Sequence, residues 1–176
     1  ALIAVVALAI TLPGGWSLMD NGWTDYDFKA QSDTSLLMKL WLTPFQPELT
    51  DAAAKLWAEQ YVGILQREKL EDVTVASTEI TTLSSRPTAL SKLTFTHKTG
   101  GPGVAWFAGF PNNGQTIHIR VLGLKRNASK AEAGLKSFAD LLELDAGALE
   151  AVTAVEGGGF TATLPDGWRV PHPKEM

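Results

Sequence analysis

The chain has 176 residues, 45% hydrophobic and 19% charged, the balance of a soluble globular protein with one core of good size. A net charge of −4 and a pI of about 5.3 argue against non-specific nucleic-acid binding. The absence of cysteine excludes disulfides, thiolate catalysis, Cys-ligated zinc and a lipid-modified cysteine.

The chain opens on an apolar run, Ala1–Ile10 (ALIAVVALAI). Its length is that of a signal-peptide apolar region, and Ala7-Leu8-Ala9 resembles a small-x-small cleavage site. It is too short to cross a bilayer as a helix. The competing reading is a buried first strand, and a repeat supports it. Leu8–Trp16 (LAITLPGGW) returns as Phe160–Trp168 (FTATLPDGW), with Thr-Leu-Pro-x-Gly-Trp at matched positions. In each copy an extended run meets Pro, which cannot donate to a ladder, and a Gly-containing turn leads to a Trp that starts the next segment. Compartment stays open between exported or periplasmic and cytoplasmic, with the opening run inclining to export.

After the first turn, Tyr26–Ala30 reads as a short strand and Leu36–Thr43 as a strong one. In the latter, Leu36, Met38, Leu40 and Leu42 share one face, with Leu37, Lys39 and Trp41 on the other. Pro44 and Pro47 end it. A helix follows at Asp51–Glu68, capped by Thr50, with an apolar stripe of Ala53, Leu56, Trp57, Tyr61, Ile64 and Leu65. Four strands come next. They are Val73–Leu83, Ala89–His97 after a turn at Arg86-Pro87, Val104–Phe110 after a break at Gly100–Gly103, and Gln115–Leu122 after a turn at Pro111–Gly114. A second helix is expected over Lys130–Glu143, with Ser129 and Glu132 as a capping box and Ala131, Leu135, Phe138, Ala139 and Leu142 on one face. Helices do not alternate with strands, so the expected class is α+β, an antiparallel sheet flanked by helices. Residues 1–145 read as one domain, 146–159 as a linker around Gly157-Gly158-Gly159, and 160–176 as the start of a second repeat or a strand-donating tail.

The LPGGW opening, the strand pair, the helix TDAAAKLWAEQYVGILQ, the meander carrying SRPTALSKLTFTH and the closing helix together resemble the PsbP and Mog-type α/β/α sandwich superfamily, which includes bacterial DcrB-like proteins. The resemblance spans about Leu8–Leu144. It implies a central antiparallel sheet with helices on its faces and a non-enzymatic role in assembly, chaperoning or adaptor binding. It supplies no catalytic residues to carry over. The chain departs from the pattern in lacking a lipoprotein cysteine and in adding a partial repeat, which bears on envelope anchoring.

Motifs for chemistry are sparse. In DNGWTDYD, Asp20, Asn21, Asp25 and Asp27 lack the alternation and distal Glu of a calcium loop. GGPGVAWF has neither the Lys-Ser/Thr nor the helix start of a phosphate loop. His97, His118 and His172 lack metal-triad spacing, and no GxSxG elbow nominates a serine. No metal or cofactor is expected. Strand parity gives the best constellation. If the faces of Leu36, Leu93, Phe95 and Ile117 all point to the first helix, the opposite face collects Lys39, Trp41, Lys92, Thr94, Thr96, His118 and Arg120. Such a face would suit a carboxylate or an extended acidic peptide, through Arg forks and cation–π contacts. Phe160, Ala162, Leu164 and Trp168 form a second candidate, a tail strand able to pair with its own sheet, a second domain or another copy of the chain. The function expected is a non-enzymatic protein-binding module with a protein partner, without nucleic acid or an integral membrane span, and with homo-oligomerisation through the terminal strand as an option. The alternative is a small-molecule enzyme or ligand-binding protein using the polar sheet face.

Overall fold

The computed structural model describes residues 8–10, 12–23, 27–43, 46–112, 114–144, 153–157 and 160–164. The elements in chain order are β1 (Leu8–Ile10), β2 (Trp16–Trp23), β3 (Asp27–Ser32), β4 (Leu37–Thr43), α1 (Asp51–Arg67), β5 (Glu71–Leu83) and β6 (Arg86–His97). They continue with β7 (Gly101–Asn112), β8 (Gln115–Leu124), a 3-10 turn (Lys125–Asn127), α2 (Ala128–Leu141), β9 (Leu142–Leu144), β10 (Thr153–Gly157) and β11 (Phe160–Leu164). The chain divides into two units, Leu12–Asp140 and a smaller one made of Ala1–Thr11 with Leu141–Met176.

The large unit is built on a seven-stranded antiparallel sheet in the order β2-β3-β4-β8-β7-β6-β5. It consists of two meanders, β2–β4 and β5–β8, joined through α1 and closed side by side by the β4–β8 pair. The α+β expectation holds, with one helix on each face. Against one face, α1 buries Ala54, Trp57, Tyr61 and Leu65 on Leu93, Phe95, Ala105 and Phe107. On the other, α2 buries Ala131, Gly134, Leu135, Phe138 and Ala139. There Trp16 meets Phe138 edge-on at 4.8 Å, and a Cβ at Gly134 would come 3.5 Å from Val121.

Local chemistry accounts for most element ends. Thr50 caps α1, its Oγ1 accepting from the Ala53 N–H at 3.2 Å. The helix ends in a Schellman turn: Lys69 adopts φ 64°, its N–H donates to Gln66 O, and the Leu70 N–H donates to Leu65 O at 3.1 Å. No glycine marks this stop in the sequence. The β5–β6 hairpin turns at Ser84-Ser85, both with positive φ (50° and 63°), not at Arg86-Pro87. Two consecutive left-handed residues match the twist of the strands they join. β7 already starts at Gly101, inside the expected chain break. Leu56 is exposed, not part of the buried stripe. The second helix starts at Ala128 from the 3-10 turn, so Ser129 lies inside it, and Glu132 pairs with Lys136 at 3.0 Å. It stops at Leu141, two residues before the expected end, where β9 begins.

In the smaller unit, Leu8–Ile10 is a strand, paired antiparallel with Leu142–Leu144. Phe160–Leu164 pairs with Thr153–Gly157, so the stretch read as a linker carries a strand. The Pro-Asp-Gly-Trp of the second repeat copy lies outside the described residues.

The close seating of α1 depends on Gly109 of β7. A Cβ there would lie 2.8 Å from the Trp57 ring and 2.9 Å from the Tyr61 hydroxyl. Gly109→Ala is therefore expected to lower the urea unfolding midpoint by an amount equivalent to about 1–3 kcal/mol, while Leu56→Ser on the exposed face changes it by less than about 0.5 kcal/mol. Equal effects from the two substitutions would refute this seating.

Candidate functional site

Cross-strand partners point to the same side of a sheet, so the register assigns faces directly. Trp41 of β4 lies opposite His118 of β8, and Lys39 opposite Arg120. Arg120 lies opposite Phe107 of β7, which is part of the core under α1. Lys39, Trp41, His118 and Arg120 thus share the α1 face with Leu93 and Phe95. Lys92 lies opposite Trp106, and Trp106 opposite Val121, which places Lys92 and its parity mates Thr94 and Thr96 on the α2 face. Leu36 and Ile117, expected alongside Leu93, also belong to the α2 face: Ile117 pairs with Leu42, and a Cβ at Gly123 would meet Leu36 at 2.5 Å. The single polar face expected from parity is therefore split between the two sides of the sheet. Alternation within each strand is as the sequence predicts. The phase between strands differs, because β6 turns its apolar residues to α1 while β4 and β8 turn theirs to α2.

His118 forms the centre of the α1-side group. It is 3% exposed. Its Nδ1 lies 2.7 Å from Tyr61 Oη and its Nε2 3.2 Å from Thr43 Oγ1. Trp41 stacks on the imidazole at 5.1 Å and 12°, and Trp57 meets it edge-on at 5.4 Å. Tyr61 in turn stacks on Phe107 at 4.2 Å. Burial pushes the imidazole down to about 4 and the Tyr61 phenol above its usual range. A neutral ring accepting from Tyr61 and donating to Thr43 satisfies both of its nitrogens. This is a closed core network, with the ring walled in by two indoles.

Arg120 is 5% exposed. Its Nη1 donates to both Glu68 oxygens, at 2.8 and 2.7 Å, tying β8 to the end of α1. Its Nε is buried without a partner among the described residues. Lys39 Nζ sits 5.7 Å from the Trp41 ring centre. On the opposite face, Lys92 Nζ sits 5.4 Å over Trp106, and Thr94 Oγ1 is 2.8 Å from Thr74 Oγ1. Among the described residues no cluster of His, Asp and Glu could hold a metal ion. In the tail, Phe160, Ala162 and Leu164 belong to the β10–β11 hairpin. Trp168, His172 and Asp25 lie outside the described residues.

Two features escaped sequence reasoning. One is a cleft of about 360 Å³ beyond the end of α1, between Glu68 and Leu70 on one side and the His97–Gly100 turn on the other. Its sequence signals are Leu37 and Leu122, apolar residues that alternate in phase with Lys39 and Arg120 on their strands. The other is the exposure of β5, the last strand of the sheet.

No protein-family model matches the sequence, and no curated protein matches it. Solved structures do. Cyanobacterial PsbP (CyanoP) from Synechocystis sp. PCC 6803 superposes with a TM-score of 0.58 at 8% identity, covering 81% of this chain and 95% of that one. The Ran-binding protein Mog1p of Saccharomyces cerevisiae gives 0.53 at 10% identity, over 78% and 90% of the two chains. A Bacteroides thetaiotaomicron protein gives 0.55 at 10% identity, over 84% of this chain and 49% of its own.

The chain has the PsbP and Mog-type fold.

At such identities the likeness concerns backbone architecture, and the side chains of the PsbP/Mog-type sheet must be read from this chain alone. Among the described residues no helix is long and apolar enough to cross a membrane.

The His118 network carries a pH signature. The ring is neutral when folded and takes a proton near 6.5 when unfolded, so its contribution is complete above pH 6.5 and is lost as pH falls towards 4. Urea unfolding at pH 7.5 and pH 4.5 is expected to show a loss of about 2–3 kcal/mol attributable to this group. His118→Gln is expected to be less stable at pH 7.5 but to lose less between the two pH values. An unchanged pH slope in the variant would refute burial of the neutral ring as the source.

Proposed function

We propose that this chain is a non-enzymatic protein-binding module that holds an extended, basic segment of its partner along β5. The observation carrying the reading is the character of that edge. β5 is 13 residues long and ends the sheet, and among the described residues nothing pairs with its outer side. Edge strands are normally blunted by Lys, Pro or bulges. The segment EDVTVASTEITTL contains no Lys, Arg or Pro. Its irregularities fall between Glu71 and Thr74 and between Val75 and Ser77, leaving Ser77–Leu83 in unbroken register with β6. Val75 and Ile80 are 41% and 38% exposed.

Strand addition to such an edge takes affinity from main-chain hydrogen bonds and specificity from alternate side chains. The charges on β5 are Glu71, Asp72 and Glu79, so Lys or Arg on the incoming strand would be complementary and an acidic strand would be repelled. The opposite edge offers less, since β2 breaks register with β3 between Leu18 and Trp23. The groups with catalytic potential under α1 are hydrogen-bonded to one another and covered, which also favours binding over chemistry. Mog1p, which shares this fold, is a Ran-binding protein. A ligand site on one polar sheet face, the alternative reading, loses its premise because the seven candidate side chains lie on two faces.

Peptides selected from a random display library on the wild-type chain are expected to be extended and rich in Lys, Arg and β-branched residues. Glu79→Lys combined with Ile80→Lys should weaken them by about tenfold or more. Lys55→Glu, on the exposed side of α1, should leave binding unchanged. Selected peptides that bind the double variant as well as wild type would overturn the assignment to β5.

A further inference from the structure

We propose that the cleft beyond α1 is a binding site for a small amphipathic amine, an alkyl or aryl body carrying one ammonium group. The inference does not depend on β5. The cleft arises from a length mismatch. The 17 residues of α1 span about 25 Å. The 12-residue strand β6 beneath it runs to about 40 Å. The Schellman turn at Lys69 stops the helix and swings Leu70 down onto the core, so among the described residues no helix covers the sheet beyond that point. Leu37, Leu122 and Leu124 line the uncovered floor and are only half-buried, with Leu70 and Phe95 as walls. Phe95 itself lies across Gly103, where a Cβ would come within 2.3 Å of its ring. The volume of about 360 Å³ is at the lower end of the range for small-molecule sites, about 300–1,000 Å³, and the lining is mainly apolar, as such sites are.

Charge selects the head group. Among the described residues, Glu68 is the only carboxylate lining the cleft, and no Lys or Arg lines it. Arg120 reaches that carboxylate through Nη1 alone and holds it in place, itself almost fully buried while Glu68 is 37% exposed. A carboxylate has about four lone-pair sites, so a cationic donor in the cleft can be accepted as well. An anionic head group would meet Glu68 as a like charge. His97 adds a directional group. Its Nδ1 accepts from the Gly100 N–H at 3.0 Å and the Thr99 N–H at 3.3 Å, which leaves the ring proton of the neutral form on Nε2 as a donor. A hydroxyl or carbonyl on the ligand body would suit it.

The test uses three probes that share an eight-carbon chain: n-octylamine, n-octanol and n-octanoate, each below its aggregation concentration, with backbone amide NMR of the full chain at pH 7. Octylamine is expected to give saturable shifts at Gly100 and Leu122–Leu124, with octanol at least about tenfold weaker and octanoate weaker still. Leu122→Trp, which fills the floor, should abolish these shifts in a chain whose far-ultraviolet circular dichroism is unchanged; if that variant does not fold, Leu37→Phe serves the same purpose. Glu68→Gln leaves Arg120 buried without its partner, so Glu68→Gln combined with Arg120→Met is the variant to compare. It should bind octylamine about tenfold more weakly than wild type. Retained affinity in that variant, or octanoate binding as tightly as octylamine, would overturn the head-group assignment. Absence of saturable shifts with all three probes would overturn the site.

Discussion

Leu37 lies opposite Leu122 and Thr43 opposite Thr116, and this antiparallel run of β4 on β8 joins two separate meanders into one sheet. The rest of the large unit depends on it. Each meander alone has a free edge and an uncovered face; joined, they make a surface wide enough for a helix on each side. The pairing also settles the faces. With Trp41 beside His118, both rings go under α1, and Ile117, Ile119 and Val121 go to the α2 side with Met38 and Leu40. A shift of one residue in this run would exchange the two sets, exposing hydrophobic side chains and burying charges without partners.

The polar groups enclosed under α1 follow from that register. His118 is tolerated in the core because Tyr61 and Thr43 meet its two nitrogens and because the neutral form carries no charge to desolvate. A buried guanidinium needs a partner, and a carboxylate from the end of α1, Glu68, pairs with Arg120. The two contacts hold α1 at different points: Tyr61 in mid-helix, through hydrogen bonding and stacking on Phe107, and Glu68 at the terminus, through the ion pair. Such an arrangement favours a defined helix position more than net stability.

The two surfaces proposed for binding are places where this closure stops. Among the described residues, β5 has a strand on one side only. The cleft lies where α1 ends before the sheet does. In neither feature does one of the cationic side chains that seemed the natural binding groups in an acidic protein face the ligand or partner. Lys39 and Lys92 lie near indole rings on opposite faces, and Arg120 is tied to Glu68.

Short-range pattern decided much about this chain. Alternation along β4, β6 and β8, the Thr50 cap and the apolar stripe of α2 each follow from rules acting over a few residues, and with the order of elements they were enough to predict an antiparallel sheet flanked by helices. Turn positions were less legible where serine or lysine takes the left-handed conformation that glycine usually signals, as at Ser84, Ser85 and Lys69. The phase between strands was not legible at all. Either face of an alternating strand can point to a given helix, and only long-range pairing, with the helix that must then be buried, selects one. For that reason the character of Arg120 and His118 as polar residues was evident from the sequence, while their enclosure beneath α1 was decided by the tertiary structure.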